Sequence, residues 1–64
     1  MSINPDHISP AAIERVAEAL MKNDARYSFC EWRHVGKKTQ DAFRSDALAA
    51  IIAYETALRM ESNQ

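Results

Sequence analysis

The chain is poor in every residue type that builds a dedicated chemical site. A single cysteine, Cys30, excludes an intrachain disulfide and predicts a reducing, cytoplasmic setting. A single glycine, Gly36, excludes a glycine-rich phosphate cradle. The longest apolar run, Ala47 to Tyr54, is far short of the roughly 18 residues that a membrane span needs. The opening residues "MSINPDH" carry no basic stretch followed by an apolar one, which argues against a secretory signal. Paired catalytic carboxylates and Ser-His-Asp patterns are also missing. The expectation is therefore a non-enzymatic protein with no cofactor and no metal.

What remains is 64 residues with a net charge of −1, near the lower limit for a chain that folds without a disulfide, a metal or a second subunit. The charge is uneven: net −2 over residues 1–24, +3 over 25–45 and −2 over 46–64. The basic middle is either a solvated surface or a patch for an acidic partner.

Helical punctuation is clear at the start. In "ISPAAIERVAEALMKND", Ser9 can cap, Pro10 occupies the first helical position, and Ile8 can staple onto Ile13. Ile13, Val16, Ala17, Leu20 and Met21 recur at helical spacing and form one apolar stripe, which predicts a helix over about 10–23. Ser28 followed by Glu31 has the form of a capping box and predicts a short helix over about 29–34, with Phe29 and Trp32 on one face. Gly36 either ends that helix or caps the next. From Lys37 to Glu61 there is neither glycine nor proline, and Phe43, Ala47, Ala50, Ile51, Tyr54, Ala57 and Leu58 share one side of a predicted helix over about 37–61.

The fold expectation is all-α, a single domain over 1–64: a small helical bundle of two main helices clasped around a short aromatic helix. The predicted core is Ile13, Val16, Leu20, Phe29, Trp32, Val35, Phe43, Ala47, Ile51, Tyr54 and Leu58. At about 35 Å, the last helix is much longer than the first or the short helix alone can cover, and the two together are the cover available within one chain.

Two surfaces then ask for a partner. Leu48 and Ile52 lie roughly opposite the core stripe, beside small residues Ser45, Ala49, Ala53 and Thr56. Part of this face is either covered by the first helix or open for a homodimer or another protein. Arg33, Lys37 and Lys38 form the basic segment. The residues predicted to bind a protein partner are therefore Leu48, Ile52, Arg33, Lys37 and Lys38. The alternative is a small DNA-associated regulator, in which Lys37, Lys38, Gln40 and Arg44 open a helix that enters a groove, although few cations are available for phosphate contact. Cys30 and His34 would share a side of a continuous helix, but a zinc site needs three or four ligands, and His7 and the carboxylates lack the usual spacing.

The pattern Trp32-x2-Val35-Gly36-x3-Gln40-x2-Phe43-x3-Ala47-x2-Ala50-Ile51 resembles one found in small helical proteins and domains of phages, prophages and their bacterial hosts. The match covers about residues 12–52. This chain has Gly36 where the pattern opens the last helix with Ser or Pro, and Lys37 and Lys38 where it favours acidic residues. The resemblance implies no defined activity or site. It implies a short phage-related accessory or host-directed protein that acts by binding another macromolecule.

Overall fold

The computed structural model describes residues 8–62. Two helices, α1 (Pro10–Lys22) and α2 (Lys37–Ser62), pack against each other, joined by a turn-rich connection that ends in a 3-10 turn at Trp32–His34. There is no strand among the described residues, and the fold is all-α.

Each helix starts where the sequence punctuates it. Ser9 is extended, and its hydroxyl accepts from the Ala12 amide at 3.1 Å, with Pro10 just inside the helix. The Gly36 carbonyl accepts from the Gln40 amide at 2.9 Å, so Gly36 stands at the N-cap position of α2. No glycine has a positive φ, and a Cβ built on Gly36 meets nothing within 4 Å. Glycine's freedom is not what this junction uses.

Of the short helix expected over 29–34, a 3-10 turn at Trp32–His34 forms, and residues 29–31 lie outside it. After α1, backbone bonds join Asp24 to Met21, Tyr27 to Asp24 and Cys30 to Tyr27, a staircase of tight turns rather than a helical ladder. Asp24 supports the second of them: its carboxylate accepts from the Arg26 amide at 2.9 Å and from the Arg26 guanidinium, a local alternative to helix. Glu31 is extended and makes no capping bond. Its carboxylate accepts from Arg33 Nε at 2.8 Å, so the capping box with Ser28 is not realised.

That change re-sorts the aromatics. Tyr27, not Phe29, packs edge-on against Phe43, with ring centroids 5.7 Å apart at 89°, and Trp32 meets the same ring at 6.5 Å. Phe29, expected in the core, is 83 % exposed.

Among the described residues only Ala17, Met21 and Ala47 are fully buried. Ile13, Val16, Leu20, Trp32, Val35, Phe43 and Ile51 are half-buried. Tyr54 and Leu58, also expected in the core, are 65 % and 44 % exposed. The reason is length. The 26 residues of α2 extend about 39 Å, whereas the 13 of α1 reach about 20 Å. From Ala53 to Glu61 every residue except Arg59 is exposed. The chain is accordingly drawn out, with a Cα radius of gyration of 13.5 Å, against about 11 Å for a compact chain of this length.

Candidate interaction surface

The proximal half of α2 is fastened by a polar clasp built on Glu14. One Glu14 carboxylate oxygen accepts from Arg44 Nε and the other from the Trp32 indole N–H at 2.9 Å. Arg44 also donates to Asp41 at 2.7 Å and lies over the Trp32 ring, 5.4 Å from its centroid. Gln40 donates to the Trp32 carbonyl at 2.6 Å, and Lys37 donates to Asp41 at 3.1 Å. Three separate segments thus meet around one indole: α1 through Glu14, the 3-10 turn through Trp32, and α2 through Gln40 and Arg44.

The electrostatics follow from those contacts. The Arg44 hydrogen bond, then that of Trp32, holds the Glu14 carboxyl below its ordinary range. Lys37 and then Arg44 do the same for Asp41, and Arg26 for Asp24. The Arg44 guanidinium is raised, chiefly by Glu14. The clasp therefore consumes charge that would otherwise be offered to a ligand.

The sequence-predicted residues separate into two places. Leu48 and Ile52 are half-buried on α2, one helical turn apart, and the small residues Ser45, Ala49, Ala53 and Thr56 beside them are exposed. The Thr56 hydroxyl donates back to the Ile52 carbonyl at 2.8 Å. Arg33 lies in the 3-10 turn, paired with Glu31 at 2.8 Å; Lys37 opens α2, paired with Asp41; Lys38 is exposed. Lys38 and Leu48 are ten residues apart on one helix, about 15 Å, so the two groups form two patches rather than one. Lys38 borders an open groove between the turns and α2, shared with Asp24, Arg26, Tyr27, Phe43 and Asp46.

Cys30 and His34 are not one turn apart on a continuous helix, although both border an open groove with Phe29 and Val35. Cys30 is half-buried, its carbonyl accepting from Lys22 at 2.9 Å, while His34 Nδ1 lies 3.6 Å from Glu31. Among the described residues no group of three His, Cys, Asp or Glu is placed to hold a metal, and His7 lies outside them. No helix among them is long and apolar enough to cross a membrane.

The surface that sequence reasoning missed is the distal half of α2. At 100° per residue Ala47, Ile51, Tyr54 and Leu58 lie within about 60° of one another. One stripe is therefore buried at Ala47, half-buried at Ile51 and open at Tyr54. Ala50 and Ala57 flank it, both exposed, and Met60, round the helix, is 64 % exposed. The length mismatch between the helices was the available signal. No protein family, no curated protein and no solved structure matches this chain.

Proposed function

We propose that the chain is a non-enzymatic protein-interaction module acting in the cytoplasm, a phage-related accessory or host-directed protein that works by occupying a partner's surface. One observation carries this reading. The apolar stripe that binds α2 to the rest of the fold continues past the point where cover ends, presenting Tyr54 beside small residues. A tyrosine among alanines gives a large contact area and lets a neighbouring helix approach closely. The half-buried Leu48 and Ile52, with exposed Ala49 and Ala53 beside them, form a second face on the other side of the same helix. The resemblance around Trp32 to Ile51 supports the phage-related part.

The DNA-regulator reading draws less support. Of its three cations, Lys37 is already paired with Asp41, and Arg44 with Glu14 and Asp41.

Photo-crosslinking in cells tests the proposal. A benzophenone amino acid at position 54 should trap a discrete protein adduct, whereas the same probe at Ala11, exposed on α1, should not. No adduct from position 54 of a folded chain, or equal trapping at both positions, would overturn it.

A further inference from the structure

Resting on the interaction-module reading, we propose that the partner covering the distal half of α2 is a second copy of this chain, packed with its own α2 antiparallel across a two-fold axis.

Length is the first argument. Each chain has about 20 Å of α2 beyond what α1 spans, and a second copy brings a stretch of equal length and identical apolar pattern. The face to be covered is also continuous with the contact that holds the fold together. The stripe that is buried at Ala47 becomes, two turns on, the stripe that is open at Tyr54. A paired copy therefore prolongs one core instead of founding a separate one.

Area is the second. The chain exposes 5036 Å², against about 4100 Å² for a compact monomer of its mass, an excess of about 900 Å². Each partner in a standard-sized interface gives up roughly 800 Å². Of the four large apolar side chains exposed among the described residues, Tyr54, Leu58 and Met60 lie on the distal half of α2.

Charge order selects the direction. Glu55 and Arg59 stand on one flank of the stripe, about 80° and 120° round from Ala47. In a two-fold antiparallel pair this flank meets itself reversed, bringing Glu55 of one copy opposite Arg59 of the other. A two-fold parallel pair would instead set this flank against the Ala50 and Ala57 flank of the other copy, so only the antiparallel pair brings opposite charges together across the seam. On the other flank Ala50 and Ala57 leave room for close approach.

The test is solution mass by light scattering from micromolar to millimolar concentration, with helicity followed by circular dichroism. The native chain should pass from monomer to dimer. Tyr54→Asp should keep its helicity and raise the dimer dissociation constant about a hundredfold. Glu55→Arg and Arg59→Glu should each weaken the dimer at unchanged monomer helicity, and the double exchange should restore it. A native monomer at every concentration would overturn the proposal, as would a Tyr54→Asp chain that dimerises like the native one. A monomer that still crosslinks a different protein from position 54 would sink the dimer while leaving the interaction module standing. A chain that neither dimerises nor crosslinks would remove both.

Discussion

The two halves of α2 share a helix, a composition and an apolar stripe, yet they live in different environments. Residues 37–52 are held by the clasp of Glu14, Trp32 and Arg44 and by the buried contacts of Ala17, Met21 and Ala47. Residues 53–61 stand almost wholly in water. Periodicity states which face of a helix is apolar; it is silent on what lies against that face. Tertiary cover is set by the length of the neighbours, and here α1 is half as long as α2.

The sharpest way to break the comparison is to remove the proximal anchor. Among the described residues Met21 is the one large side chain that is fully buried, so Met21→Ala should cost about 2–4 kcal/mol, most of the stability a chain of this size has. Urea denaturation followed by circular dichroism would measure it, and the whole of α2 should unfold with the rest.

Next comes the clasp. Trp32→Phe keeps an aromatic ring but deletes the donor to Glu14, and should cost about 1 kcal/mol in the same assay, whereas Trp32→Ala should cost about 2–3 kcal/mol. Glu14→Gln should lower the melting temperature as well, because Arg44 loses its ionic partner on α1.

Acid should act on the same contacts. Glu14 and Asp41 both have carboxyls held below their ordinary range in the folded chain. Their contribution is therefore complete above the unfolded carboxylate values and is lost as pH falls through the lower folded ones. The melting temperature should hold from neutral pH down to about pH 5 and decline below that, and the decline should shrink in Glu14→Gln. An equal acid response in that variant would show that the clasp is not what titrates.

The smallest effect sharpens the comparison at the beginning of α2. Gly36 caps it without a side chain, has no positive φ and has room for a Cβ. Gly36→Asp should stabilise by about 0.5 kcal/mol, seen as a small rise in melting temperature.

The parts legible in the sequence were those written locally. Ser9 and Pro10 marked the start of α1, the lack of glycine and proline after Gly36 marked a long helix, and the paired stripes marked an all-α fold. The connection was not legible, because two local signals competed over it. Ser28 and Glu31 signalled a capping box, while Asp24, two residues after α1, offered Arg26 an Asx turn, and Tyr27 took the place against Phe43 rather than Phe29. The clasp was hidden for a different reason. Glu14, Trp32 and Arg44 are separated by 18 and 12 positions, so no spacing rule joins them, although a half-buried indole requires an acceptor. Tyr54 was correctly placed on the core stripe, and its stripe simply outruns the cover. Leu48 and Ile52 were set apart as a separate face, half-buried beside exposed small residues, and the open end of the core stripe around Tyr54 is a further surface.

The most direct test of the contrast is residue-resolved amide hydrogen exchange along α2 at low and high protein concentration. The account predicts strong, concentration-independent protection over residues 40–52. Over 54–61 it predicts weak protection in dilute solution that rises as the chain is concentrated. Uniform protection along all of α2 in dilute solution would contradict it, because the distal half would then be covered within a single copy.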